Sequence, residues 1–316
     1  MRLVVRIISG LGNQIFQYAA GLYFAKRMGA QLELATPPQK EAGFLNPGGN
    51  SNSSAQYADS PYLLSVFNLT SASHAITFSE RILQARNQRV GTVGRTALSV
   101  AGQQFLEEPE QYRFSRDLPV RPGVRKLLIR GYWQARQYAE ANAAQLRDEL
   151  TWIQPPAGKN LELLSQIHEE SCAVSLHIRR GDYLRAVGGS LALPLSYYDE
   201  SIRFVLNRFP QATFYVFSDD IGFAKQSLPA YIRAVFVDHN PVSKGHEDLR
   251  LLSGCRHHII SNSTFSWWGA WLGSYRDKVV VAPKYWKGKQ DSYYPDLFPS
   301  EWTLIDNISL ATAVQS

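Results

Sequence analysis

Four polar segments carry residue types that could do chemistry, and each follows an apolar run. The first reads Ser175-Leu-His177-Ile-Arg179-Arg180-Gly-Asp182-Tyr183. His177 and Arg179 are two residues apart, so they share a side for as long as the strand continues. A guanidinium offers a planar fork of donors that matches phosphate oxygens. A salt-bridged turn between Arg180 and Asp182 is the plain structural alternative, but two arginines and a histidine are more cations than a turn needs. The second segment is Phe217-Ser-Asp219-Asp220. Its carboxylates can accept paired hydrogen bonds from a guanine edge or a ribose, or they can cap the following helix. The third is Ser261-Asn-Ser263-Thr264-Phe265-Ser-Trp267-Trp268-Gly. Hydroxyls and main-chain N–H groups gather there where a helix starts, which makes a seat for a diphosphate. Trp267, Trp268 and Trp271 are expected to pack into the core. The fourth is Gly10-Leu-Gly12-Asn13-Gln14, half of a dinucleotide glycine signature, with Ile15 at the third glycine position and Glu33 near the acidic spacing. Asn13 and Gln14 bring amides suited to sugar hydroxyls.

The elements that must position these residues can be read from hydrophobic spacing. Residues 3–8 form an apolar, β-branched run, and a helix is expected from about Asn13 to Met28, closed by Gly29. Gln31–Ala35 reads as a second strand. Residues 36–60 are rich in Pro, Gly, Asn and Ser and read as a long loop of the kind that often serves a site. Residues 61–125 show no clear period. Lys126–Trp133 reads as a strand and Tyr138–Leu150 as a helix. Gln154-Pro-Pro-Ala-Gly-Lys159 is the best linker. Beyond it, strands at 173–178, 213–217, 234–237, 258–261 and 279–282 alternate with helices at 161–170, 196–209, 247–255 and 264–272, with Ser196 as a cap. Such alternation implies a parallel sheet covered on both faces. Two α/β halves follow, at 1–155 and 160–316, with ligands expected beyond the carboxyl ends of the strands.

Composition narrows the function classes. The chain has 316 residues, 45% hydrophobic and 19% charged, with a net charge of +6. That is ample material for cores, and a mild basic excess suits anionic small ligands. No run of five or six basic residues supports a nucleic-acid coat, so no nucleic-acid partner is expected. The two cysteines, Cys172 and Cys255, exclude a disulfide framework and a cysteine zinc site, and are expected as buried thiols of a reducing compartment. No signal peptide or transmembrane segment is read, so a cytoplasmic location with peripheral membrane contact at most is expected. There is no P-loop and no Asp-x-Asp sequence. His257 and His258 alternate across a strand, so no metal is expected, and a bound diphosphate must be neutralised by Arg and a helix end.

Taken together, the segments resemble the bacterial α-1,2-fucosyltransferases of glycosyltransferase family 11. The likeness rests on Leu11-Gly-Asn-Gln-Ile-Phe-Gln-Tyr-Ala19, Gly131-Tyr-Trp-Gln134, His177-Ile-Arg-Arg-Gly-Asp-Tyr183, Phe217-Ser-Asp-Asp220 and Ser261-Asn-Ser-Thr-Phe-Ser-Trp-Trp-Gly-Ala-Trp271. The resemblance implies a GT-B type fold, two Rossmann-like domains facing a cleft, with the acceptor on the amino-terminal side and the donor on the carboxy-terminal side. It implies GDP-fucose as donor, a galactose-terminated oligosaccharide as acceptor, inversion, and no metal or other cofactor. On that reading Arg179 binds the diphosphate and is catalytic, with Arg180 in support. His177 and an Asp of the Asp219–Asp220 pair address the nucleoside. Ser263, Thr264 and Phe265 line the phosphate seat, and Gly12, Asn13 and Gln14 face the transferred sugar and acceptor. Asp182 is the candidate base, with Glu33 or an acid of the unmatched loops as alternatives. The competing readings are a fucosyl transferase of another linkage or acceptor, a non-catalytic sugar- or nucleotide-binding protein, and an NAD-dependent oxidoreductase using Gly10–Gly12 and Glu33.

Overall fold

The computed structural model describes residues 1–37, 61–84, 99, 101–181, 183–184 and 191–308. It divides into two compact units, Met1–Ile153 and Gln154–Ser316.

The first unit is built on the strands β1 (Arg2–Arg6), β2 (Gln31–Thr36), β3 (Ala72–Ala75), β4 (Gln103–Glu107) and β5 (Lys126–Arg130). They pair in the order β3-β2-β1-β5-β4, every pair parallel. Helix α1 (Leu11–Met28) crosses from β1 to β2. It begins two residues before the expected start, and 13 of its 18 positions are buried, because the helix is flanked on several sides. The weakly periodic stretch holds β3, α2 (Phe78–Gln84) and β4, elements too short to display a period. The single helix expected at 138–150 is two: α3 (Arg136–Glu140) and α4 (Ala143–Glu149). Asn142 breaks it, with Nδ2 donating to the carbonyls of Tyr138 at 3.0 Å and Ala19 at 3.4 Å.

The second unit holds α5 (Lys159–Glu169), β6 (Ala173–Ile178), α6 (Leu195–Arg208), β7 (Thr213–Ser218), α7 (Ile221–Ser227), β8 (Arg233–Val237), α8 (Gly245–Gly254), β9 (His257–Ile259), α9 (Thr264–Leu272), β10 (Val280–Pro283) and β11 (Thr303–Ile305). The strand order is β11-β10-β9-β6-β7-β8, again parallel throughout. Two parallel α/β units are the layout of a GT-B type enzyme. Every residue of β6 is buried, as a central parallel strand requires. Val174, Leu176 and Ile178 pack on Tyr197, Ile202 and Val205 of α6, while Ala173 with Tyr215 and Phe217 of β7 meets α5 and α8 on the opposite face. Helix α6 starts one residue earlier than expected, with Pro194 at the cap position, so Ser196 lies inside its first turn. Among the described residues no helix is long and apolar enough to cross a membrane.

Candidate functional site

In the second unit β6 has β7 on one side and β9 on the other. The chain therefore reverses its direction of sheet growth at β6, and the carboxyl ends there splay apart. The sequence-predicted residues His177, Arg179, Arg180, Asp219, Asp220, Ser263, Thr264 and Phe265 all leave this edge, from the ends of β6, β7 and β9.

Asp219 organises the β6 loop. Its two oxygens accept the main-chain N–H of Arg180 at 2.8 Å and of Gly181 at 3.0 Å. One of them also pairs with the Arg179 guanidinium at 3.1 Å. A Cβ on residue 181 would stand 2.9 Å from that carboxylate, so the approach needs glycine. Arg179 lies 5.7 Å from the Tyr183 ring, and the Tyr183 hydroxyl donates to the Asn262 carbonyl at 3.0 Å, tying the β6 and β9 loops together. Arg180 stacks on Phe223 at 3.7 Å and has its Nε 3.5 Å from Asp220. Asp220 caps α7 by accepting the Phe223 N–H at 3.1 Å. Both aspartates thus serve the protein: the helix-cap reading holds for Asp220, and Asp219 braces the loop that carries the arginines.

His177 is 5% exposed, shares a 2.8 Å hydrogen bond between Nδ1 and Ser261 Oγ, and packs against Phe265 at 5.6 Å. Burial, and next the charge of Arg179, hold its pKa down to about 3, so the ring is neutral at physiological pH. Burial keeps His258, bonded to Ser175 Oγ at 2.8 Å, well below its ordinary value too. Folding thus depresses both pKa values, and their contribution is complete above about pH 6.5 and is lost as the pH falls toward the folded value. For His177 alone the loss between pH 7 and pH 5 should be about 2 kcal/mol, at about 1.4 kcal/mol per unit. Urea unfolding at the two pH values checks this: His177→Gln should shrink the pH dependence by that amount, and an unchanged dependence would refute the assignment.

Helix α9 points its amino end at the same edge. Ser263 stands at its cap position with extended backbone, and its side chain makes no capping bond to the helix. At the other end Lys278 Nζ donates to the carbonyls of Ala270 at 2.7 Å, Trp271 at 3.2 Å and Gly273 at 2.7 Å. The negative end of the helix is thereby neutralised. Trp267 and Trp268 are fully buried and Trp271 is 7% exposed, as expected of core residues. Among the described residues no three His, Cys, Asp or Glu side chains gather as a metal centre would need. His257 and His258 go to different partners, His257 accepting the Val279 N–H at 3.0 Å and stacking on Phe209. Cys172 and Cys255 are buried free thiols.

The first unit has its own polar edge. Ser9, just past β1, is a non-glycine residue in the left-handed region at φ 68°, and Trp133, past β5, is another at 55°. Asn13 Nδ2 donates to Ser9 Oγ at 2.8 Å, and Gln134 Nε2 donates to Asn13 Oδ1 at 2.6 Å. Gln14 corrects an expectation. It is wholly buried, donates to the Ser9 and Pro61 carbonyls at 2.7 and 2.8 Å, and accepts the Leu63 N–H at 2.9 Å. It fastens a loop and presents nothing to a sugar. Gly12 is buried as well, while Asn13 is half-buried. Glu33 sits in the middle of β2, 3.6 Å from Arg2, and not at the strand's carboxyl end where a ribose would need it. Asp182 and nearly all of the 36–60 loop lie outside the described residues. Sequence reasoning missed Ser261, Asn262 and Phe223 as supports, although the first two stand inside a motif it singled out.

Comparison with known proteins gives a consistent result. Residues 114–306 match the model of Glycosyl transferase family 11. The chain is 31% identical over 314 residues to an alpha-1,2-colitosyltransferase of Escherichia coli, covering 96% of this chain and 99% of that protein. It is 28% identical to the O-antigen biosynthesis glycosyltransferase WbnK of the same organism, over 88% of this chain and 92% of that one. A stretch of 108 residues, 33% of this chain and 29% of that protein, is 30% identical to the galactoside 2-alpha-L-fucosyltransferase Sec1 of Mus musculus.

Proposed function

The chain belongs to glycosyl transferase family 11, and on that premise we propose that it moves L-fucose from GDP-fucose to the 2-hydroxyl of a terminal β-galactose. The observation that carries the donor half of this reading is that Arg179, past β6, and the amino end of α9, past β9, lie at one sheet edge. A leaving nucleoside diphosphate needs such an anion seat. The reaction is a direct displacement with inversion. The galactose oxygen attacks the anomeric carbon, the bond to the β-phosphate oxygen breaks, and negative charge grows on that oxygen. Arg179 and the helix end stabilise the charge with no metal required. Neutral His177, aimed by Ser261, addresses the nucleoside, and the first unit takes the acceptor.

A second reading has a specific support: the relative that matches 96% of this chain is named for colitosyl transfer. Both donors would present the same diphosphate to the same seat, so the sugar pocket separates them. The experiment is to incubate the protein with GDP-fucose and lactose in EDTA and to follow GDP release and the linkage of the trisaccharide. Fucose on the galactose 2-hydroxyl is the expected product. GDP release without trisaccharide would keep the donor and move the search to other galactosides, including O-antigen fragments. No GDP release from folded protein, with turnover of a nucleotide-linked colitose, would replace the fucosyl reading by the colitosyl one.

A further inference from the structure

We propose that Glu108 is the base that takes the proton from the acceptor hydroxyl, a role that rests on the reading of the first unit as the acceptor side. Glu108 follows β4 at the carboxyl edge of the first sheet. Its Oε2 accepts the Tyr132 N–H at 2.7 Å and its Oε1 the Trp133 N–H at 2.9 Å. A Cβ on residue 131 would lie 2.3 Å from the Glu108 Cβ, so the turn after β5 closes onto this side chain only because residue 131 is glycine. The same turn carries Gln134, which reaches Asn13 and through it Ser9. Three strand ends, β1, β5 and β4, are therefore joined at one place, with two left-handed non-glycine residues among them. Strain of that kind persists where the surroundings over-determine it, and it clusters at functional sites.

The carboxylate is suited to the task. Each of its oxygens has two acceptor positions and gives one to a main-chain N–H, so each keeps one for a substrate hydroxyl. The group is half-buried and not sealed. Burial raises its pKa to about 7 in spite of the two N–H donors, and Tyr138 of α3 is its facing titratable neighbour. The two buried acids among the described residues of this unit are committed elsewhere. Glu80 is held by Lys126 at 2.6 Å and His74 at 3.1 Å, and Glu149 by Tyr18, Thr70 and Gln145. In the step itself the acceptor oxygen bonds to the anomeric carbon as its proton passes to a Glu108 oxygen. The anomeric carbon–phosphate oxygen bond breaks, and its electron pair leaves on GDP. The proton then returns to water, so the balance is one glycoside, one GDP and one proton.

The test compares the wild-type chain with Glu108→Gln, Glu108→Asp and Asp182→Asn, using GDP-fucose and lactose. Glu108→Gln should lower kcat for transfer about a hundredfold or more, the usual worth of a general base. It should leave the KM for GDP-fucose within about threefold, since donor binding does not need this group. The wild-type kcat should rise through about pH 7, and in this variant that rise should vanish. Glu108→Asp should recover part of the rate and keep the pH limb. A kcat for Glu108→Gln within about threefold of wild type would overturn the assignment. So would equal losses of kcat in Glu108→Gln and Glu108→Asp with a lowered melting point and an unchanged pH limb, the mark of a mere loop brace. Loss of the pH limb in Asp182→Asn alone would overturn it as well. An inactive wild-type chain would instead overturn the functional reading and this role with it.

Discussion

Replacing Arg179 by alanine should lower kcat for fucosyl transfer by at least about a hundredfold, the scale seen when one donor aimed at a developing anion is removed. Charge builds on the β-phosphate oxygen only as the anomeric bond breaks, so a guanidinium held there favours the transition state over bound donor. Holding it is the work of Asp219, 3.1 Å away, and of the Tyr183 ring beneath it. Lysine should restore little, because an ammonium loses the planar fork that can engage two oxygens and the flat face that stacks on tyrosine. The fold should hardly notice the change. The Arg179 side chain is 34% exposed, and an ion pair so open to water contributes at most about 1 kcal/mol. Steady-state kinetics together with a melting curve therefore decide the matter. A near-normal kcat, or a collapse of kcat that merely follows a large fall in melting point, would remove Arg179 from the chemistry.

Trp267→Ala should have the largest effect on stability, about 3–5 kcal/mol, as for other large aromatic truncations in cores. Trp267 is fully buried, its indole N–H donates to the Leu297 carbonyl at 3.0 Å, and its ring lies 4.9 Å from Trp268 and 5.3 Å from Trp302. Truncation would leave a cavity and an unpaired carbonyl together. Because domains are stabilised by only about 5–15 kcal/mol, the second unit would keep a small margin. Trp267→Phe should cost clearly less, since it preserves most of the ring contacts and loses the hydrogen bond. Denaturant unfolding followed by circular dichroism measures both. A change below about 1 kcal/mol for the alanine variant would mean that α9 is not anchored as described.

What could be read from the residues, and what could not, separates along physical lines. Strand β6 was legible because the run Ala173-Val-Ser-Leu176 passes abruptly into His, Ile, Arg and Arg. The α9 segment was legible because hydroxyls precede three tryptophans. The supports were not. Gln14 looks like a sugar-binding amide in the sequence, and only the folded loop shows that the Pro61 carbonyl and the Leu63 N–H, 47 and 49 residues away, use it up. Ser9 and Trp133 adopt left-handed backbone that no serine or tryptophan announces. Glu108 follows an edge strand of five residues with a single buried position, too irregular to signal a strand end. The break at Asn142 was missed because helical spacing runs straight through a residue whose side chain bonds the backbone instead.

The place of β6 between β7 and β9 also sets a timetable. The Arg180–Asp219 bond spans 39 residues, and the His177–Ser261 bond spans 84. Doubling the span adds only about 0.6 kcal/mol of closure entropy, so the longer link costs little at equilibrium. It costs time, because non-local pairings form late. A chain emerging from the ribosome can lay β7 beside β6 and set its arginines on Asp219 well before β9 exists. Ser261, which aims His177, and the amino end of α9 arrive only when the far side of the sheet closes. The nascent protein would therefore set its cations first, and complete the proposed anion seat only when that last pairing is made.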